Sequence, residues 1–287
     1  MGFRCGLVGL PGCGKTCIFN AITAAGASGY GAQEANRAVI EVPDARLARL
    51  AEITGAQKQV PTTVEVIDIP GLQAGSTAGE GRGSKLLGHV KDVEALFHVV
   101  RCFERAGAGG EEAGIDPVRD IETIDLELMV ADAQTLTNKI ERLAKKAKAG
   151  EAEARRLLAD CETVKAGLDE GTPARRQPLS DAQRTSVADC HLASIKPVLY
   201  IANVESPDQA ETAPVRALAD HAQDEGAQWV LVCGRDEAEI AELPPAEQAE
   251  FLRELGLERS SMERLIRAGY ETLGLVSFLT GGDKEAN

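Results

Sequence analysis

The sequence is poor in aromatic residues and has no paired cysteine motif. Phe, Trp and Tyr make up 3% of its 287 residues, so a core must be built mainly from Ala, Val, Leu and Ile. Such a core is typical of helices packed on a parallel sheet. The seven cysteines form neither a Cys-x-x-Cys pair nor a Cys/His cluster with zinc-ligand spacing, which favours reduced thiols in a cytoplasmic protein.

Long apolar runs and an excess of positive charge are also missing. No run approaches the roughly 18 apolar residues that cross a bilayer, and the N-terminus does not look like a signal peptide. The sequence therefore predicts neither membrane insertion nor secretion. The formal net charge of −14 argues against bulk attraction to nucleic acid or anionic membrane, so any such contact requires a local basic patch.

Short apolar runs, separated by segments of helix length, recur along the chain. They occupy residues 3–8, 64–69, 95–102, 197–202 and 229–233. Runs of this length bounded by turn residues are typical of buried parallel strands, and the alternation predicts an α/β fold with helices on both faces of the sheet. In such folds ligands bind at the carboxyl ends of the strands.

The strongest functional motif follows the first of these runs. Residues 9–16 read Gly-Leu-Pro-Gly-Cys-Gly-Lys-Thr, which fits the G-x-x-x-x-G-K-[ST] pattern of a P-loop between a strand and a helix. Backbone N–H groups of such a loop surround phosphates, and the helix N-terminus adds positive potential. We expect Lys15 to reach the β- and γ-phosphates of a nucleotide and the Thr16 hydroxyl to bind Mg²⁺.

A second motif, Asp-Ile-Pro-Gly-Leu at residues 68–72, ends the second apolar run. In isolation such an Asp can simply cap a turn. After a P-loop, we interpret Asp68 as a Mg²⁺ ligand, direct or through water, and Gly71 as a γ-phosphate contact. Leu72 stands where Ras-like GTPases carry the Gln that orients the attacking water, and leucine cannot do this.

The stretch between the third and fourth runs is rich in helix-forming residues. Apolar side chains recur at three-to-four-residue spacing on both sides of Gly150, which predicts two helices joined there as an antiparallel coiled coil, and a further helix is predicted over 180–193. We therefore expect a P-loop GTPase-type nucleotide domain made of residues 1–122 and 195–287, with a helical arm inserted at 123–194.

Several segments resemble the YchF/Obg-like ATPase family. They include residues 1–11, Phe-Asn-Ala at 19–21, Gly-Glu-Gly at 79–81, His-Val-Val-Arg-Cys-Phe at 98–103 and Arg-Ala-Gly-Tyr at 267–270. The resemblance runs from residue 1 to about residue 284. It implies binding of ATP at least as well as GTP, a coiled-coil arm, and work near ribosomes or in stress responses. Family members continue into a TGS domain, so the chain is interpreted as a short form without one.

The sequence departs from the family pattern at positions that bear on hydrolysis and base choice. The first switch segment, residues 30–43, has no Thr to complete a Mg²⁺ shell, and no His follows Phe103 and Glu104. The family's Asn-x-x-Glu base motif becomes Asn203-Val-Glu205-Ser, with the acid displaced by one place. Asn203 can still donate hydrogen bonds to a purine edge and accept them from it. Both ATP and GTP therefore remain candidate nucleotides.

The predicted site draws on the P-loop, the second motif and the base-reading loops. Catalysis is assigned to Lys15 and Thr16, and Mg²⁺ binding to Thr16 and Asp68. The predicted nucleotide contacts are Pro11, Gly12, Cys13, Gly14, Lys15, Thr16, Cys17, Gly71, Asn203, Val204, Glu205, Cys233 and Gly234.

The arm carries a local excess of positive charge. Segment 139–156 holds three acidic residues against seven basic ones, a net charge of +4, the basic residues being Lys139, Arg142, Lys145, Lys146, Lys148, Arg155 and Arg156. A solvated coiled-coil face accounts for this. The alternative is a contact with ribosomal or other RNA phosphates, without base stacking because no aromatic residue is interleaved.

Two functions of different class fit the sequence. The first is a Mg²⁺-dependent NTPase switch that hydrolyses ATP, or GTP, slowly. The second is an adaptor that binds a nucleotide without hydrolysing it, which the missing Thr and His favour. A small-molecule kinase is a weaker third, because no arginine-rich lid is evident.

Overall fold

The computed structural model describes residues 2–26, 37–42, 44–69, 90–104, 114–244, 247–248 and 260–286. Strands lie at β1 (Arg4–Val8), β2 (Arg37–Glu41), β3 (Lys58–Gln59), β4 (Thr63–Asp68), β5 (Ala95–Arg101), β6 (Val198–Asn203), β7 (Gln228–Val232) and β8 (Glu285–Ala286). Helices lie at α1 (Lys15–Gly26), α2 (Ala45–Thr54), α3 (Pro117–Lys148), α4 (Ala152–Asp169), α5 (Asp181–Val187), α6 (Ala213–Glu225), α7 (Gly234–Glu242) and α8 (Ser261–Thr272). Short 3-10 turns occupy Ala188–Cys190 and Pro207–Glu211.

The main sheet has six strands in the order β2-β4-β1-β5-β6-β7. All neighbours are parallel except β2, which pairs antiparallel with β4. The five predicted strands and the α/β fold class are thus confirmed. Strand β2 was not predicted, and neither were the two-residue strands β3 and β8, which pair with each other in a small second sheet.

Both faces of the sheet are covered, so its central strands are buried on both sides. One face packs against α3 and α6 through residues such as Leu128 and Leu218. The other packs against α1 and α8 through residues such as Ile18 and Leu265. This two-sided cover explains why the strands read as continuous apolar runs rather than as alternating ones.

The predicted arm is present as two packed antiparallel helices, α3 and α4. They are joined at Gly150, whose φ of 97° lies in the left-handed region that favours glycine. Helix α3 begins at Pro117, earlier than the periodicity predicted, because the Asp116 carboxylate accepts a hydrogen bond from the N–H of Arg119 and caps it. The predicted boundary at 122/123 therefore falls inside one continuous helix.

Helix α3 belongs to two cores. Its first half packs on the sheet through Ile121, Ile124 and Leu128. Its second half packs in the arm, where Leu136 contacts a cluster that includes Cys161. The helix predicted over 180–193 is shorter than expected: α5 ends at Val187 and a 3-10 turn follows.

A buried ion cluster, termed here the arm-root cluster, joins the return path of the arm to the nucleotide domain. The guanidinium of Arg175 lies 2.6 Å from Asp125 Oδ2 on α3 and 2.5 Å from Glu225 Oε1 on α6. The hydroxyl of Tyr200 on β6 donates to Glu225 Oε2 at 2.7 Å. Burial acts to lower the pKa of Arg175, but the two carboxylates outweigh it and raise that pKa, so the residue stays charged.

His98 on β5 lies in the core, 2% exposed, with its ring centroid 5.7 Å from that of Tyr200. Burial, with the nearby charge of Arg175, lowers the pKa of His98 to about 3. The imidazole is therefore neutral near pH 7, as expected of a core histidine.

Within the described ranges, none of the helices combines the length and apolarity needed to span a bilayer.

Candidate nucleotide-binding site

The P-loop connects the end of β1 at Val8 to the start of α1 at Lys15. Gly12 and Gly14 have φ values of 82° and 90°, a conformation that L side chains rarely adopt. At Gly14 a Cβ would also lie 2.0 Å from the side-chain nitrogen of Asn203. Glycine at this position thus serves both the turn of the loop and its close approach to a neighbouring strand.

Lys15 and Asp68 meet at the carboxyl ends of adjacent strands. Strands β1 and β4 run parallel, so Lys15 in the P-loop and Asp68, the last residue of β4, reach the same edge of the sheet. The ammonium of Lys15 lies 3.0 Å from Asp68 Oδ1, with side chains 12% and 21% exposed, and it also donates to the carbonyl of Ile69. The sequence predicted both residues in the site but not the Ile69 carbonyl.

The protein oxygens at this edge suit Mg²⁺. Asp68 Oδ1 is buried and accepts no hydrogen bond of ordinary geometry, although Lys15 is near. Thr16 follows Lys15 on the first turn of α1 and is exposed. Mg²⁺ bound with a nucleotide takes one or two protein oxygens together with phosphate oxygens and waters. Such a site needs no acidic cluster, and the described residues contain no group of three or more metal-binding side chains.

Asn203, at the end of β6, braces the P-loop against a second loop. Its side-chain N–H₂ donates to the carbonyl of Cys13 at 2.8 Å, and its Oδ1 accepts from the N–H of Gly234 at 3.2 Å. The residue is 4% exposed. One of the two hydrogens of its amide nitrogen is thus committed to the P-loop.

Three of the predicted contact residues, Cys13, Cys17 and Cys233, are cysteines, and the thiols of two of them donate hydrogen bonds. The thiol of Cys17 donates to the carbonyl of Gly234 at 3.2 Å, and that of Cys233 donates to the carbonyl of Glu205 at 3.1 Å. Burial raises the pKa of Cys17, and it raises the pKa values of Cys13 and Cys233 to about 11. All three therefore carry a proton near pH 7.

The structure brings most of the predicted residues to one edge of the sheet. Val204 continues β6 by one residue, its N–H donating to the carbonyl of Val232 at 2.9 Å. Pro11 and Gly12 are exposed on the P-loop. Gly71 and Leu72 lie outside the described residues, as do the glycine-rich segment 73–83, residues 105–113 and most of the predicted first switch.

Phe103 was given no role by the sequence, yet it lies at this site. It follows β5, and its ring atom Cε1 is 4.0 Å from the position that a Cβ would take at Gly14. Its place just beyond the carboxyl end of β5, a strand next to β1, was the available signal.

Known proteins resemble the chain over nearly its whole length. Residues 4–159 match a family model described as 50S ribosome-binding GTPase. Over 99% of its length the chain is 42% identical to the ribosome-binding ATPase YchF of Haemophilus ducreyi and covers 80% of that protein. It is 38% identical to the Bacillus subtilis (strain 168) protein of the same name, with the same coverage of both chains.

A solved structure also matches. The YchF GTPase of Schizosaccharomyces pombe superposes with a TM-score of 0.84 at 27% sequence identity, over 99% of this chain and 79% of that one. The likeness therefore extends beyond the P-loop to the helical arm.

Proposed function

Because this chain belongs to the YchF family, as its sequence motifs predicted, we propose that it is a Mg²⁺-dependent nucleotide-binding protein. It hydrolyses ATP slowly as a conformational switch, in the cytoplasm and in association with ribosomes. GTP is the alternative nucleotide. The observation that carries the proposal is the convergence of Lys15, Asp68 and the braced P-loop at one edge of the sheet.

In this proposal the P-loop and the base-reading loops hold opposite ends of the nucleotide. The exposed backbone of the P-loop and Lys15 bind the phosphates, with Gly71 as a γ-phosphate contact. Asn203, Val204 and Glu205 read the base, and Cys233 and Gly234 border it. Thr16 and Asp68 hold Mg²⁺, which when bound neutralises phosphate charge.

The chain offers little for activating water, so turnover should be slow. Leucine at position 72 cannot orient water, and catalysis would rest on Lys15, Thr16 and backbone N–H groups that stabilise developing negative charge. The second candidate, an adaptor that binds nucleotide without hydrolysis, is favoured by the same missing groups. Both share the binding site, and turnover separates them.

Binding itself should depend on Mg²⁺. Calorimetric titration with ATP should show one site per chain in the presence of Mg²⁺. In EDTA the affinity for ATP should be about tenfold weaker or more, because the metal offsets the phosphate charge that Asp68 would otherwise repel. An affinity unchanged by EDTA would contradict the assignment of Thr16 and Asp68.

The arm, proposed to work as a unit over 123–194, is the candidate ribosome contact. The structure divides its basic residues into two sets. Four of them have partners within the arm: Lys139 is buried and donates to the carbonyl of Ser186 at 2.7 Å, and Arg156 pairs with Glu153 at 2.8 Å. Arg142 and Arg155 donate to main-chain carbonyls of α3. By contrast Lys145, Lys146 and Lys148 are exposed in the last turn of α3 and form no ion pair among the described residues.

The three tip lysines should therefore carry any contact with RNA phosphates. Replacing all three by Glu should weaken binding to isolated 50S ribosomal subunits about tenfold or more, and should reduce the salt dependence of binding by roughly one phosphate contact per lysine. Sedimentation at several salt concentrations measures both. The matched control replaces three exposed arginines on other elements by Glu, namely Arg49, Arg216 and Arg267. An equal loss of affinity for the 50S subunit in that variant would point to net charge rather than to the arm tip.

A further inference from the structure

The backbone of Glu205 leaves the sheet at the predicted base-reading loop. The hydrogen-bond ladder between β6 and β7 ends with the N–H of Val204, which donates to the carbonyl of Val232. Glu205 comes next and has no strand partner for its own N–H and C=O. Main-chain polar groups at such a point need other partners, or the loop has no fixed conformation.

Side chains from two separate elements supply those partners. The N–H of Glu205 donates to Gln209 Oε1, in the 3-10 turn Pro207–Glu211, at 3.0 Å. The carbonyl of Glu205 accepts from the Cys233 thiol at 3.1 Å and from Arg235 Nη2, in the first turn of α7, at 3.3 Å. These bonds fix the main chain and leave the exposed carboxylate of Glu205 out of them.

The main chain of Glu205 is therefore held in a set relation to the amide of Asn203, two residues earlier, which limits the positions that the Glu205 carboxylate can reach. Asn203 is itself fixed by Cys13 and Gly234. Adenine presents an N–H₂ donor where guanine presents a carbonyl acceptor. A carboxylate only accepts hydrogen bonds and an amide does both, so their relative placement decides which purine edge is matched. Sites built on such pairing reject the wrong partner through unpaired polar groups.

We propose that Gln209 and Arg235 are positioning residues that fix the backbone of Glu205 and thereby set which purine base the site accepts. The inference rests on the nucleotide site proposed above. It also gives a reason for these bonds. Glu205 lies one residue nearer to Asn203 than the acid of the family pattern does, so the direction of its side chain depends on the bonds that hold its main chain.

Gln209 offers the cleaner test, because its side chain contributes one acceptor to the loop. Gln209→Met removes the acceptor at nearly constant size, and Gln209→Glu retains it. The affinities of each variant for ATP and for GTP are measured by calorimetry with Mg²⁺, and kcat is measured at saturating nucleotide. Gln134→Met is the control, since in the part of the chain that the structure describes the side chain of Gln134 bonds only Asn138, on the exposed face of α3.

In Gln209→Met the affinity for the preferred nucleotide should fall about fivefold, the ratio of ATP to GTP affinity should change by at least about threefold, and kcat should stay the same. Gln209→Glu should restore the wild-type ratio. Equal losses for both nucleotides, or no loss, would overturn the inference. A wild-type chain that binds neither nucleotide would instead refute the proposed function, so the two failures are distinguishable.

Discussion

Replacement of Lys15 by alanine is expected to lower the affinity for Mg²⁺·ATP by about 100-fold, because hydrogen bonds from a charged donor to phosphate are among the strongest single contacts in a site. Lys15 is largely buried, and its ammonium already lies against Asp68 and the carbonyl of Ile69 at the end of β4. In the proposed site this positive charge meets the phosphates of the nucleotide.

The effect can be separated from a loss of folding. Calorimetry measures the affinity, and thermal unfolding of the variant without nucleotide measures its stability. Lys165→Ala is the matched control, because Lys165 pairs with Asp169 at 2.6 Å on the arm, away from the P-loop. If Lys15→Ala keeps ATP affinity within about threefold of the wild type, the phosphate role of Lys15 is wrong.

The largest effect on stability is expected at the arm-root cluster. Arg175→Met should reduce the free energy of unfolding by about 3–5 kcal/mol, since it leaves the carboxylates of Asp125 and Glu225 buried without the guanidinium that pairs with both of them. The side chains of the three residues are 8%, 10% and 5% exposed, so solvent screens them little. Denaturant unfolding followed by circular dichroism measures the loss.

Two further variants make that result specific. Neutralising the carboxylates as well, with Asp125→Asn and Glu225→Gln added to Arg175→Met, should recover part of the lost stability because no buried charge is left unpaired. Arg216→Met breaks an exposed pair with Glu211 and should change stability by no more than about 0.5 kcal/mol. A small effect of Arg175→Met would show that the cluster does not hold the arm to the domain.

Local patterns in the sequence were sufficient for the parts of the fold that contiguous residues define. The P-loop needs a strand, a glycine-rich turn and a helix start within residues 4–26, and all three follow one another along the chain. The buried strands could be predicted because both of their faces are covered, and the arm because Gly150 interrupts a clear helical period. The cap at Asp116 was visible in the sequence and would have placed the start of α3 correctly.

Other features could not be predicted because they depend on contacts between distant residues. Asn203 bonds Cys13, which lies 190 residues away in the sequence. Arg175 bonds Asp125 and Glu225, which lie 50 residues before and 50 residues after it. The motif at Asn203 predicted a base contact but not this bond, and nothing local marks Arg175 as more than a polar side chain. Strand β2 was missed because it is a short edge strand whose alternate residues are exposed, a weak pattern over five positions. Strands β3 and β8, with two residues each, give no pattern at all.

The most direct test of the proposed switch is steady-state phosphate release by the purified chain from ATP and from GTP, with Mg²⁺ and with EDTA, beside Lys15→Ala. We expect slow release that requires Mg²⁺, favours ATP and disappears in the variant. Binding of nucleotide without any release would contradict the switch and leave the adaptor as the function of this chain.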